Sequence, residues 1–369
     1  MIRNFYFILL VFFGPPAFAQ KTYIQCGKLI DGVSNTARAQ VTLIIEGKPI
    51  IYIQKGFITC GTKDKVISLQ NKTVMPGLID CHVNLESQGS KNALLEGFTL
   101  SDADIAYQAA VCTKRTLMAG FTTVRDLGGN GVNISLKKAV QKGLVDGPRI
   151  IKAGRAISAS GDHMDISVGF RDDAFNHKMK PDDGIADERD ELIKAVRLQF
   201  KRGSDLIKIA STGGILDLSE DGAGAQFSID EIKAVVETAK DYGLKVACHA
   251  HGAEGIRRAI LGGVISIEHG TFMNDEDMQL AKKYGTYYVP TIIAGKSVSD
   301  SAKINGYFPP AIARRALEVG PQVQQTFAKA YKAGVKIAFG TDAGVYAHGK
   351  NYIEFQYMVE AGLALMEAI

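Results

Sequence analysis

The sequence predicts an α/β protein, a (β/α)8 TIM-type barrel preceded by a small β domain, on three observations. From Val74 onward, short apolar runs alternate with longer amphipathic stretches. Eight such runs can be read, and polar residues able to carry chemistry gather where the runs end. A chain of 369 residues buries enough apolar surface for one large domain, or a large and a small one, without disulfide staples.

The first 19 residues stand apart from the rest. Arg3 supplies a short positive start, residues 5–13 are unbroken apolar, and Ala17-Phe18-Ala19 has the small-x-small pattern of a cleavage site. Residues 1–19 are therefore expected to be a signal peptide cleaved after about Ala19. A membrane anchor is the competing reading, but the apolar run stops at Gly14-Pro15-Pro16, short of the roughly 20 residues that span a bilayer. No later segment has the length and apolarity of a span. The mature protein is expected to be secreted or periplasmic.

Residues 22–75 alternate β-rich runs (41–45, 50–53 and 66–69) with glycine turns and show no helical period, which predicts a small β domain. Residues 76–369 then form the barrel. Its candidate strands are 78–83, 122–127, 149–153, 206–210, 245–249, 264–269, 287–292 and 336–340, with amphipathic stretches at 102–118, 187–201, 229–242 and 314–333. A closed barrel accounts for this count better than an open doubly wound sheet, and no G-x-G-x-x-G or P-loop pattern follows the first run. After a last expected helix at 352–365 the chain stops at Ile369. The β domain is accordingly expected to be incomplete on its C-terminal side and the chain to be a fragment of a longer reading frame.

Composition narrows the function classes. With 46% hydrophobic and 22% charged residues the chain is an ordinary globular one. Its net charge of +4, from 43 basic and 39 acidic residues, is weak and evenly spread, which argues against a nucleic-acid partner. The five cysteines are scattered; a Cys26–Cys60 pair is open as an option, and Cys81 and Cys248 are expected in the core.

Barrel chemistry is built at the C-terminal ends of strands. Those ends carry His82 and Asn84, Lys208, His249 and His251, His269, and Asp342, which include four of the seven histidines. A single histidine at a strand end is ordinarily a hydrogen-bonded bystander, whereas imidazoles and a carboxylate converging on one mouth form an N/O set suited to Zn²⁺ or to other divalent ions such as Mn²⁺, Fe²⁺ and Co²⁺. Lys208 lies in the otherwise apolar run Leu206-Ile207-Lys208-Ile209-Ala210. Either it makes a buried salt bridge, to Asp205 or Asp342, or it is a lysine of lowered pKa that reacts with CO₂ to give a bridging anionic carbamate.

The runs Met75-Pro76-Gly77-Leu78-Ile79-Asp80-Cys81-His82, Gly120-Phe121-Thr122-Thr123-Val124-Arg125-Asp126, Lys208 with Thr212-Gly213-Gly214, His249-Ala250-His251-Gly252, Glu268-His269-Gly270-Thr271 and Gly340-Thr341-Asp342-Ala343-Gly344 come in a specific order. Together they resemble the amidohydrolase superfamily over about residues 27–360, in particular the imidazolonepropionase-like branch that includes prolidases and other dipeptidases. The resemblance implies one or two Zn²⁺ ions. His82 would hold one, carbamylated Lys208 would bridge, His249 and His269 would hold the second, and Asp342 would bind metal and shuttle the proton. It also implies that His163 and His251 bind the substrate carboxylate, with loop hydrogen bonding and core packing as their alternative roles. One position departs from the family's His-x-His: the chain has His82-Val83-Asn84. Asn84 keeps the ligand face by the two-residue period but is a weaker donor than imidazole. The implied activity is hydrolysis of an amide bond by metal-activated water in a dipeptide or N-acyl amino acid. A cyclic amidohydrolase of imidazolonepropionase type and a non-catalytic metal- or peptide-binding relative are the other readings; oligomerisation is left open.

Overall fold

The computed structural model describes residues 20–175, 177–217 and 222–369; the expected leader at 1–19 lies outside them. The chain divides into two compact units, one up to Pro76 and one from Gly77 to Ile369.

The first unit is one sheet of β1 (Lys21–Leu29), β2 (Arg38–Glu46), β3 (Ile50–Lys55) and β4 (Lys65–Val74), in the order β3-β2-β1-β4. β1 runs antiparallel to β2 and parallel to β4. Cys26 and Leu29 of β1 pack on Val41 and Leu43 of β2 in a small core. Gly27 is required where β1 bulges, because a Cβ there would stand 2.2 Å from the Gln70 carbonyl oxygen. All five cysteines are free thiols, so Cys26 and Cys60 are not bonded. Cys248 is fully buried, and Cys81 only partly.

The second unit is an α/β fold with parallel sheets. β5 (Leu78–Val83), β6 (Phe121–Asp126) and β7 (Arg149–Lys152) form one; β8 (Ile207–Ala210), β9 (Val246–Ala250), β10 (Ser266–His269) and β11 (Tyr287–Val289) form the other. The helices are α1 (Ala93–Thr99), α2 (Asp102–Met118), α3 (Val132–Gln141), α4 (Arg189–Arg202), α5 (Ile229–Asp241), α6 (Ala253–Gly262), α7 (Asp275–Tyr284), α8 (Ile292–Ala302), α9 (Pro310–Ala333), α10 (Ile353–Glu360) and α11 (Leu365–Ala368). Capping boxes begin three of them: Ser101 with Asp104 for α2, Ser228 with Glu231 for α5, and Asn274 with Asp277 for α7. Each box satisfies backbone donors that the first helical turn leaves unpaired, stabilising its helix by about 1 kcal/mol. The helices bury their apolar faces on the strands, as Ile232, Val235 and Ala239 of α5 do in the cluster that holds Ile207, Ile209 and Cys248.

Residues 336–343 depart from expectation. They pair on both sides, through Tyr288 N–H to the Lys336 carbonyl at 2.8 Å and Cys81 N–H to the Phe339 carbonyl at 2.8 Å, but form no continuous strand. The physical reason is local. At Gly340 a Cβ would lie 2.3 Å from Val289 Cγ1, and at Asp342 the backbone turns left-handed (φ 56°), so the extended run breaks where it passes β5 and β11. Between β7 and β8, Ile157 continues the parallel pairing with Ile209. Among the described residues no helix is long and apolar enough to cross a membrane.

Candidate metal centre and active site

The residues singled out at strand ends meet in one place. His82 is on β5, Lys208 on β8, His249 on β9, His269 closes β10, and Asp342 follows the broken run after Gly340. All are at least 90% buried. One ligand atom from each of His82, His269 and Asp342 lies within 4.8 Å of the others. The rings continue the cluster: His269 to His249 at 4.7 Å, His249 to His163 at 4.2 Å, and His269 to His251 at 5.0 Å between centroids. His177 and His348 stand outside it, paired with Asp183 and with Thr116.

Hydrogen bonds fix which atoms face inward. Glu268 accepts from Arg125 Nη2 (2.7 Å), from the Ser266 hydroxyl (2.5 Å) and from His82 Nδ1 (3.0 Å). Burial alone would raise the Glu268 carboxyl, but the Arg125 guanidinium and the His82 bond hold it at about 2. An anionic Glu268 makes Nδ1 of His82 the protonated nitrogen, which leaves the Nε2 lone pair facing Asp342 Oδ1 at 3.3 Å. Two acceptor atoms that face each other in a buried site need a cation or a proton between them. His269 and His251 are oriented the same way, Nδ1 of each lying 2.8 Å from the hydroxyl of Thr291 and Thr271 respectively. Burial, followed by the neighbouring imidazoles, holds His249 and His269 well below the usual histidine value, and burial pushes His251 down to about 3. Neutral imidazoles with open lone pairs are the form a metal takes.

The Lys208 ammonium makes no hydrogen bond or ion pair among the described residues, although its backbone carbonyl accepts from the Ile157 N–H at 2.9 Å. The alternative partner Asp205 is engaged by Lys137 at 2.7 Å and by Lys152 at 3.5 Å, and Asp342 forms no ion pair with Lys208. Burial pushes the Lys208 ammonium below the usual lysine range, against the pull of Glu268 and Asp342. Asn84 turns its amide toward Asp342, donating from Nδ2 to Oδ1 at 2.5 Å. Asp342, raised chiefly by burial, is held in place from behind. Asp80 accepts from the Thr341 N–H, the Thr341 hydroxyl and Asn351 Nδ2 at 3.1, 2.7 and 2.8 Å. Apart from Gln40, every non-glycine residue of positive φ among the described residues sits at this site: His269 (70°), Thr291 (52°) and Asp342 (56°).

His163 arrives from the loop after β7 and bonds Asp217 through Nδ1 at 2.7 Å. Burial would depress its pKa, but the bond and charge of Asp217 outweigh burial and raise it. Gly214 makes room for this ring, since a Cβ there would stand 2.1 Å from Nδ1, which accounts for the glycine at position 214. A cavity of about 90 Å³ opens beside His163, His251, His269 and Asp342.

With this geometry in view, the comparisons with known proteins are decisive: residues 73–369 match the profile of the amidohydrolase family. The chain belongs to the amidohydrolase family. This amidohydrolase is 32% identical over 372 residues to ochratoxinase of Aspergillus niger, covering 95% of this chain and 75% of that protein. Among solved structures it is similar to a Xaa-Pro dipeptidase with bound methionine in the active site, at 46% identity and a TM-score of 0.91, covering 95% and 86% of the two chains. It is also similar to a prolidase complexed with N-methylphosphonate-L-proline, at 29% identity and a TM-score of 0.82, covering 95% and 85%. The amidohydrolase is thus a metal-dependent hydrolase of carbon–nitrogen bonds.

Sequence reasoning assigned no role to Arg125 and Glu268. A signal was present: Arg125 is a cation inside a strand run, the same anomaly that drew attention to Lys208. Thr271, Thr291 and Asp217 carried no comparable mark, because their roles depend on contacts between distant loops.

Proposed function

We propose that this amidohydrolase cleaves the amide bond of dipeptides or N-acyl amino acids at the mouth of a closed (β/α)8 barrel, with Zn²⁺ as its metal. The observation that carries the reading is the facing pair of His82 Nε2 and Asp342 Oδ1 beside Lys208, whose ammonium has no hydrogen bond or ion pair among the described residues. The donor set suits one or two divalent cations: His82 would hold one, His249 and His269 a second, and Asp342 would bind metal, with Lys208 as a CO₂-derived carbamate shared between them and Asn84 as the weak position. Held by these residues, a divalent cation would supply Lewis acidity to the scissile carbonyl and to the attacking water.

The chain's own groups do the rest. Asp342 Oδ1 is oriented by Asn84, and Oδ2 makes no hydrogen bond among the described residues, so Oδ2 takes the proton of the attacking water and returns it to the leaving nitrogen. His163, kept chargeable by Asp217, and His251, whose Nδ1 is tied to Thr271, hold the substrate carboxylate. Neighbours named as a prolidase, a Xaa-Pro dipeptidase and an ochratoxinase support this substrate class.

The test is a dipeptide and N-acyl amino acid library, with cyclic amides as comparison, applied to Zn²⁺-loaded protein. Release of free amino acid that stops on chelation and returns with metal is expected. Turnover of cyclic amides alone, or of nothing in the library, refutes the reading.

A further inference from the structure

The two ends of the cavity differ in chemistry. One carries the imidazoles and Asp342; the other is walled by Ala294, Gly295 and Val298 of α8, Val319 and Val323 of α9, and Val345. On α8 the lining positions 291, 294, 295 and 298 recur at one-turn spacing on one face, and on α9 Val319 and Val323 are one turn apart. The face of α8 turned away carries Lys296 and Asp300, with Lys303 following at its C-terminal cap. Among the described residues no charged side chain lines the apolar end: Arg315, one turn before Val319, gives its guanidinium N–H to the Asp217 carbonyl and does not line the cavity. A charged group placed in this end would lose its hydration without a partner, whereas an aliphatic group gains with each carbon buried.

Size is set as well. The cavity volume of about 90 Å³ is below the roughly 150 Å³ that houses a benzene ring in a dry protein cavity. Gly295 stands at the narrow point, where an added Cβ would come 2.9 Å from Val323 Cγ1 and 3.4 Å from Val319 Cγ1. Burying one more methyl there leaves less room for substrate.

Resting on the amide-hydrolysis reading above, we propose that the α8–α9 slot is the specificity pocket of this enzyme and takes one uncharged aliphatic side chain of the substrate, of leucine or methionine size. Gly295 and Val319 set its depth. Each methylene accommodated raises kcat/KM roughly fourfold, up to the size at which the slot is full.

The experiment measures kcat/KM of the metal-loaded full chain on two dipeptide series, Xaa-Ala and Ala-Xaa, with Xaa as Gly, Ala, Val, Leu, Met, Phe, Lys and Glu. In one series the values are expected to climb at least tenfold from Gly to Leu or Met, to fall at Phe, and to be at least a hundredfold lower for Lys and Glu. In that same series Val319→Ala moves the maximum to Phe, and Gly295→Ala moves it to Ala. Lys or Glu equal to Leu in both series, or a maximum that neither variant moves, overturns the slot. Calorimetric titration with the free amino acids leucine, methionine, glycine, phenylalanine and lysine judges the slot independently of turnover. Leucine and methionine should bind at least tenfold tighter than glycine and lysine, with phenylalanine gaining in Val319→Ala. Equal affinities reject the slot even in an active enzyme. Absence of turnover with the expected ranking of affinities rejects the dipeptidase reading and keeps the slot.

Discussion

Replacing Glu268 by Gln keeps the shape of the side chain, removes its charge, and places an amide N–H against either His82 Nδ1 or the Arg125 guanidinium, both of which are donors. The Glu268 carboxyl lies at about 2 instead of the usual 4.5, which at ~1.36 kcal/mol per pH unit amounts to about 3 kcal/mol of stability in a fully buried group. Breaking a buried pair from one side costs roughly 3–5 kcal/mol by general experience, so the two figures agree. The pH sign follows from the depressed value: the contribution is complete above pH 4.5 and is lost as pH falls through 2. Urea unfolding of metal-free wild type and Glu268→Gln should therefore differ by about 3 kcal/mol at pH 7 and converge toward pH 2. Metal affinity, read by competition with a chelator, should fall roughly 10- to 100-fold, because Glu268 fixes the protonated nitrogen of His82. The double variant Arg125→Met with Glu268→Gln should recover part of the stability but not the affinity, since it removes the orphaned guanidinium and leaves His82 unoriented. A loss at pH 7 below about 1 kcal/mol, or an unchanged metal affinity, would show that Glu268 neither carries the buried charge nor orients the ligand.

Three shorter predictions follow from the same geometry. Lys208→Ala should lose bound metal and activity together, with partial rescue by a small carboxylic acid; normal metal content in the variant rejects the carbamate. Asn84→His puts an imidazole in place of the amide that donates to Asp342, so elemental analysis after equal metal loading should rise toward two ions per chain; no gain would show that the enclosure by Gly128 and Gly344, whose added Cβ atoms would each lie 2.8 Å from Asn84 atoms, leaves no room for the ring. Asp126, raised from 3.8 to about 8 by burial and then by the charge of Glu86, keeps a proton that the unfolded chain releases. Its contribution to stability is full below pH 3.8 and declines as pH rises through 8. Asp126→Asn should flatten that slope in denaturation curves between pH 5 and 9, and parallel slopes for the two proteins would assign the pH dependence elsewhere.

Much of the architecture was legible in local pattern. The run Leu78–Val83 and the helix Asp102–Met118 have the bounds that alternation and amphipathic spacing indicated. The capping boxes at Ser101, Ser228 and Asn274 mark helix starts that side chains three residues apart determine. His82, Lys208, His249, His269 and Asp342 were visible because each is a polar residue at the end of, or inside, an apolar run, an anomaly that hydropathy alone detects. Helix α8 was missed: residues 287–292 read as one strand, yet the strand ends at Val289 and the helix starts at Ile292. Its start is set from a distance by Glu354, which accepts from the Ile292 and Ile293 N–H groups at 2.9 and 2.7 Å.

What tertiary structure decided has a common cause. Whether Lys208 met Asp205 or stood unpaired, which nitrogen of His82 faces Asp342, and whether Asn84 donates or accepts all depend on atoms as far apart in the chain as His82 and Asp342. A residue's neighbours along the chain determine its propensity and its face. Its protonation, tautomer and free lone pairs are determined by what the fold brings opposite it, and so the chemical state of the site emerges only when the strand ends converge.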